Sequence, residues 1–79
     1  MKTGMLWYDN DPNKALAAKV IEAMKYYNEK YGQVPNVCMV NPSALKGVKA
    51  PEIGKLVVRA YRPVLPGHLW IGVEDADAN

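Results

Sequence analysis

The sequence has very little of what usually cross-links a small protein or carries its chemistry. It contains one cysteine, Cys38, and one histidine, His68. A disulfide cannot form within one chain, and the ligands of a structural zinc site are missing. No apolar run approaches the roughly 20 residues of a membrane-spanning helix, and the N-terminal run is too short for a signal peptide. We therefore expect a cytoplasmic protein with no membrane partner, no bound metal and no other cofactor.

Length and composition are those of one globular domain. The chain has 79 residues, of which 49% are hydrophobic and 23% are charged, enough for one domain and not for two. We expect a single domain over residues 1–79, with 74–79 as a frayed acidic tail. A core of this size rarely supplies more than about 3–5 kcal/mol. Since disulfides and metals are not expected, oligomerisation is the expected source of further stability.

Hydrophobic periodicity predicts an α/β fold with the element order β-α-β-(short α)-β-β. The long helix should begin directly after Asp11 as N-cap, with Pro12 in its first turn, and end at Gly32. Asn41 should cap a short helical turn, and 48–54 should be a loop. The predicted strands are 5–8, 36–41, 55–62 and 69–73.

These elements predict a two-layer sandwich, in which one long helix covers one face of a four-stranded mixed sheet. The first two strands should be parallel, because a helix connects them in a right-handed crossover. The run 36–41 is apolar throughout, as in a strand buried on both faces. The last two strands should form an antiparallel hairpin, with Pro66 and Gly67 at the centre of a type II turn. The order of the strands is not predicted.

One helix covers only one face of such a sheet, so the other face is the candidate binding surface. Alternation along the strands assigns aliphatic side chains to the helix side. The opposite face should carry Val57, Arg59, Tyr61, His68 and Trp70. An uncovered apolar and aromatic face is unusual on a monomer, and these residue types are common in interfaces. We expect a non-enzymatic binding or assembly module, a homodimer formed by stacking two sheets or by extending the sheet across an edge.

A single-stranded nucleic-acid platform is the first alternative. Trp70 and Tyr61 would stack on bases. The contacts to phosphates would come from Lys49, Lys55, Arg59 and Arg62. Residues 1–73 carry ten basic and five acidic side chains, which favours an anionic partner weakly. The aromatic motif of RNA-recognition domains is absent.

A small-ligand or magnesium site is the second alternative. Asp9 and Asp11 follow the first strand, and Asn41 and Ser43 follow the second, at the edge where α/β units bind ligands. The competing interpretation is that these residues only form turns and cap helices. A further patch on the helix comprises Lys19, Tyr26 and Lys30. It would contact a partner, or the tyrosine would simply lie along the lysine side chains.

No catalytic constellation is predicted. Cys38 lies between Val37 and Met39, where a thiol behaves as a small hydrophobic group. The only candidate base for it is His68, which lies at a turn without an orienting carboxylate. The glycines are scattered and form no phosphate-binding loop. We therefore expect that the chain is not an enzyme.

Overall fold

The computed structural model describes residues 3–74, which form a four-stranded mixed sheet with one α-helix packed on one face. In chain order the elements are β1 (Thr3–Tyr8), α1 (Leu16–Tyr31), β2 (Val37–Val40), a 3₁₀ helix (Pro42–Leu45), β3 (Val57–Ala60) and β4 (His68–Val73). The predicted α/β class and element order are confirmed. Most of the predicted acidic tail, 75–79, lies outside the described residues. Within 3–74, no helix combines the length and apolarity needed to cross a bilayer.

The strand order is β1-β4-β2-β3. The last strand, β4, is antiparallel to both β1 and β2, while β2 and β3 are parallel neighbours. Because β1 and β2 are both antiparallel to β4, they run in the same direction, as predicted for two strands joined by a helix. They are not neighbours, since β4 lies between them.

The predicted hairpin of the last two strands is wrong. The interior strand β2 separates β3 from β4, and β3 ends at Ala60, so residues 61–67 form a connection across the end of β2. Two strand spacings of about 4.8 Å have to be crossed, and seven residues are ample for that distance. The predicted type II turn is present at the end of this connection: His68 N–H donates to the Leu65 carbonyl at 3.0 Å, and Gly67 has a φ of 82°.

The start of α1 also differs from the prediction. The helix begins at Leu16, and its N-cap, Ala15, makes no side-chain hydrogen bond to the first turn. Asp11 instead accepts a hydrogen bond from Asn13 N–H at 2.9 Å, so its carboxylate closes a turn ahead of the helix. The end of α1 is as predicted. Gly32 adopts the left-handed conformation, and its N–H donates to the Asn28 carbonyl at 2.7 Å.

The main core lies between α1 and the sheet. Val20, Ala23 and Tyr27 of the helix are fully buried. They pack in one cluster with Cys38, Val40, Leu56, Val58, Leu69 and Ile71. The Tyr27 hydroxyl donates to the Thr3 carbonyl at 3.2 Å, which ties the helix to β1. All four residues of β2 are buried, as the sequence predicts for an interior strand.

Candidate interaction surface

The side of the sheet opposite α1, called here the open face, carries most of the predicted interface residues. Cross-strand partners share a face, and the register aligns Leu6 with Trp70 and Trp70 with Met39. The strand residues of the open face are Gly4, Leu6, Tyr8, Val37, Met39, Val57, Arg59, His68, Trp70 and Gly72. Tyr61, the remaining predicted residue, lies just beyond β3.

The open face is not completely uncovered, which corrects the sequence-based expectation. Val64, in the connection between β3 and β4, is 6% exposed and packs with Val37 and Met39. Asn41 holds this connection in place, because its side-chain amide donates to the Val64 carbonyl at 2.8 Å. The Asn41 side-chain oxygen accepts from Ser43 N–H at 2.9 Å. Asn41 therefore caps the 3₁₀ helix, as predicted, and also fixes the covering segment.

A groove of about 560 Å³ lies between this connection and the strands. It is lined by Leu6, Met39, Tyr61, Pro63, Val64, Leu65, His68 and Trp70. The wall is mainly aliphatic and aromatic, and the volume falls within the range of small-molecule sites. Sequence reasoning did not name Leu6 or Leu65 for this surface, although each is 64% exposed. The alternation in β1 could have identified Leu6, whereas Leu65 was interpreted only as part of a turn.

Gly4 makes room for the Trp70 indole on the open face, and Gly72 makes room for the backbone of β1. A Cβ on Gly4 would coincide with the Trp70 indole, so the ring occupies the space that a side chain would fill. The cross-strand partner of Gly4 is Gly72. A Cβ on Gly72 would collide with the Thr3 carbonyl oxygen. The aromatic ring thus covers a glycine of the edge strand and forms part of the groove wall.

Arg59 is engaged in an ion pair within the open face. Its Nη2 donates to both carboxylate oxygens of Glu74, at 2.9 and 3.0 Å. The Asn36 side chain donates to the Glu74 carbonyl and accepts from Glu74 N–H, each at 2.9 Å. The assignment of Glu74 to a frayed tail is therefore wrong. The pair places a carboxylate beside Arg59, one of the cations assigned to phosphate contacts in the nucleic-acid hypothesis.

His68 and Cys38 lie on opposite sides of the sheet. The His68 ring contacts Tyr8, with 4.7 Å between ring centroids, and its Nδ1 lies 3.2 Å from the Pro66 carbonyl oxygen. Cys38 is fully buried against the helix side, and burial raises the pKa of its thiol to about 12. A Cys–His pair is therefore geometrically excluded, and the thiol has the properties of a core side chain.

The side chains of the predicted ligand edge form two separate groups, and each group is hydrogen-bonded within itself or to nearby residues. The Asp9 carboxylate accepts from the Lys14 ammonium at 2.9 Å and from Asp11 N–H at 3.0 Å. The hydrogen bond from Lys14 lowers the pKa of Asp9 below its ordinary value. Lys14 also contacts Glu22 at 2.8 Å, and its pKa is raised by the two carboxylates. These contacts are those of a turn held by ion pairs.

The two halves of that edge are also kept apart, because β4 lies between the ends of β1 and β2. Asn41 and Ser43 hydrogen-bond to each other, as described above. Over residues 3–74, no three His, Cys, Asp or Glu side chains are grouped so that they could hold a metal ion.

The predicted helix patch comprises Lys19, Tyr26 and Lys30. Tyr26 packs on Trp7 of β1, with 5.1 Å between ring centroids. The Lys30 ammonium lies 5.5 Å from the Tyr31 ring centroid. Tyr26 therefore has a packing role at the edge of the sheet. The Trp7 Nε1 beneath it is buried without a hydrogen-bond partner in the described part of the chain.

The fold and its surface define a small two-layer α/β domain with an apolar groove on the side that its helix leaves uncovered. A scan against models of protein families, a search of curated proteins and a search of solved structures each found no match.

Proposed function

We propose that this chain is a non-enzymatic assembly module that forms a homodimer through its open face. The observation that carries the proposal is a set of exposed large apolar side chains on the open face and along the groove. They are Leu6, Tyr8, Val57, Tyr61 and Leu65. Removing apolar surface from water contributes about 25 cal/mol per Å². A partner that covers these side chains would therefore make the free energy of association considerably more favourable. The core of a chain of 79 residues also supplies little stability by itself, so association would add to it.

The size of the open face suits an interface between two copies. A standard interface buries about 800 Å² on each partner, roughly one seventh of the 5400 Å² that this chain exposes. The two longest dimensions of the molecule are 32 and 28 Å. An interface of standard size would therefore take most of the open face and not the groove alone.

The shape of the open face is suited to a two-fold dimer. One part is raised by the connection 61–67, and the part formed by β1 and β4 is lower. In a two-fold dimer, the raised part of each copy can contact the lower part of the other copy. The raised connection of one copy, with Leu65 at the rim of the groove, then lies against the lower part of the other copy near Leu6.

A small apolar ligand is the second candidate, and the groove volume of about 560 Å³ favours it. The nucleic-acid alternative has less support. Arg59 is already paired with Glu74, and a carboxylate on the stacking surface repels phosphates.

The experiment is a measurement of solution mass by sedimentation equilibrium over a wide concentration range. The wild-type chain should associate, and Leu65→Asp should weaken that association by placing a charge in the interface. The matched control is Val48→Asp. Val48 is 61% exposed but lies in the loop before β3, so this variant should associate like the wild type.

A wild-type chain that remains monomeric at every concentration would rule out self-assembly. Binding of an apolar fluorescent probe by that monomer, lost in Leu65→Asp and retained in Val48→Asp, would support the small-ligand candidate. Quenching of the fluorescence of the two tryptophans, Trp7 and Trp70, by mixed single-stranded oligonucleotides at low salt would support the nucleic-acid alternative. We expect no such quenching.

A further inference from the structure

The two edges of the sheet have opposite chemical character. The outer strands are β1 and β3. The β3 edge is four residues long, carries Arg59 and is flanked by Lys55 and Arg62. Short length and charge are the usual means by which proteins prevent an edge strand from pairing with another chain. The β1 edge has neither, since its six residues, TGMLWY, contain no charge and no proline.

We propose that β1 is a second assembly edge, to which β1 of another copy adds in antiparallel orientation. Along its outer side, β1 has no strand partner among residues 3–74. A second strand would pair those backbone groups and join two four-stranded sheets into one sheet of eight strands.

The charge pattern favours a second copy of the same strand as the occupant. An uncharged edge strand accepts an uncharged strand without the desolvation of charged side chains. Of the two described edges, only β1 is neutral. The cationic β3 edge is disfavoured, because placing Arg59 in the seam would desolvate its charge and disturb its ion pair with Glu74.

Two-fold symmetry then narrows the register. An antiparallel pair of identical strands has its axis perpendicular to the sheet, and cross-strand partners share a face. The axis therefore passes midway between the two copies of one residue. The two residues near the centre of β1 that could pair with their own copies in this way are Met5 and Leu6. Met5 is half-buried towards α1, whereas Leu6 is 64% exposed. Leu6 has the larger apolar surface to bury, so the register pairs Leu6 with Leu6.

This register also gives a partner to an exposed aromatic ring. Tyr8, 58% exposed, falls opposite Gly4 of the second copy, where the Trp70 indole lies. Tyr8 of one copy would lie beside the Trp70 ring that covers Gly4 of the other copy, and contacts between aromatic rings stabilise such a pair. The Thr3 carbonyl, which already accepts from the Tyr27 hydroxyl, lies outside the paired residues 4–8. Its hydrogen bond to the helix is therefore retained.

The two interfaces share Leu6 and Tyr8, which lie on the open face. Leu65 and the connection 61–67 take part in the open-face dimer alone, so Leu65→Asp acts on that dimer without changing the β1 seam. If both interfaces form and their two-fold axes intersect at right angles, they generate a tetramer of two stacked eight-stranded sheets. If the open-face dimer fails, the β1 pair remains a dimer.

Leu6 variants made in the Leu65→Asp background separate the two interfaces when solution mass is combined with amide hydrogen exchange. Leu65→Asp removes the open-face contact only. Leu6→Lys places two like charges directly opposite each other in the β1 seam, which opposes pairing. Leu6→Thr is the matched control, because threonine is neutral and favoured in strands. The double variant, Leu6→Lys with Leu65→Asp, removes both contacts.

We expect Leu65→Asp to remain a dimer. Its β1 amide hydrogens should exchange more slowly than those of the double variant by a factor of about ten or more. The double variant should be a monomer. In the Leu65→Asp background, Leu6→Thr should keep the dimer that Leu6→Lys removes. A circular dichroism spectrum checks that each variant is folded.

The proposal is overturned if Leu65→Asp is monomeric with fast-exchanging β1 amides, or if Leu6→Lys and Leu6→Thr, each in the Leu65→Asp background, have the same mass. The wild type provides a test without any substitution. Protection of β1 amides should rise with protein concentration while that of β3 amides does not, and equal behaviour of both edges contradicts the proposal. A monomer whose β1 is protected only by a synthetic peptide of residues 3–8 would also contradict it.

Discussion

At the scale of single residues, the pair Gly4 and Gly72 determines how β1, β4 and Trp70 fit together. The two glycines are cross-strand partners, and both lack the side chain that would block a neighbour. At Gly4 the neighbour is an indole ring, while at Gly72 it is the backbone of Thr3. A side chain can move aside at modest cost, whereas the backbone of a paired strand cannot.

We therefore predict that Gly72→Ala lowers the free energy of unfolding by about 3 kcal/mol, at the upper end of the usual cost of overpacking. The matched control is Gly47→Ala. Gly47 has a φ of 69° but no atom within 4 Å of an added Cβ, so its substitution should cost only the conformational strain, about 1–2 kcal/mol. Urea denaturation measures both. Equal losses in the two variants would contradict the steric explanation.

The buried environment of Cys38 leads to a second prediction at the scale of single residues. Burial raises the pKa of its thiol from 9.0 to about 12, and only the thiolate reacts with thiol reagents. At pH 9, where an ordinary thiol is about half ionised, the folded protein should therefore react very slowly.

The same reagent should label Cys38 completely and rapidly once the chain is unfolded in guanidinium chloride. A free thiol in a small reference peptide is the control for reagent activity. Fast labelling of the folded protein at pH 9 would show that the thiol is accessible. In that case the interpretation of Cys38 as a core side chain would be wrong.

At the scale of elements, the connection between β3 and β4 has the greatest effect on the candidate site. It crosses the end of β2, buries Val64 and supplies one wall of the groove. Its position depends on Asn41, which bonds to the Val64 carbonyl and to Ser43 N–H. One side chain thus links the 3₁₀ helix to the segment that shapes the surface.

Asn41→Ala should lower the free energy of unfolding by about 1–2 kcal/mol, the combined effect of a lost cap and a lost hydrogen bond. It should also speed amide exchange in 61–67 relative to α1. Gln33→Ala is the control, because Gln33 is exposed in the loop after α1, and it should change stability little. Unchanged exchange in 61–67 would show that the connection is held by other contacts.

At the scale of the whole molecule, one helix and one sheet leave two places open to association. The open face has exposed apolar side chains around a groove, and the outer side of β1 pairs with no other strand among residues 3–74. Both features favour association. Any association of folded chains makes thermal stability depend on concentration.

We predict that the wild-type Tm rises with protein concentration, because dilution favours dissociation before unfolding. The Tm of the double variant, Leu6→Lys with Leu65→Asp, should not change over the same range. Scanning calorimetry at several concentrations measures this difference. A wild-type Tm that is independent of concentration would contradict both proposed interfaces.

The sequence predicted much of the candidate surface because alternation along a strand is a local property. It assigned Val57, Arg59, His68 and Trp70 to one face, and the register agrees. It did not predict that Arg59 pairs with Glu74, since the two residues come together only through the order of the strands. It also missed the burial of Val64, because a turn interpretation does not say what lies beneath the turn.

By itself, the sequence determined which segments form the helix and the strands, where α1 ends at Gly32, and that β2 is buried on both sides. Each of these depends on the spacing of apolar residues or on the conformation of one glycine within a short segment. Only the tertiary structure decided that β4 lies between β1 and β2 and that the connection 61–67 covers one end of the open face. Those features depend on contacts between residues far apart in the chain, which no local pattern records.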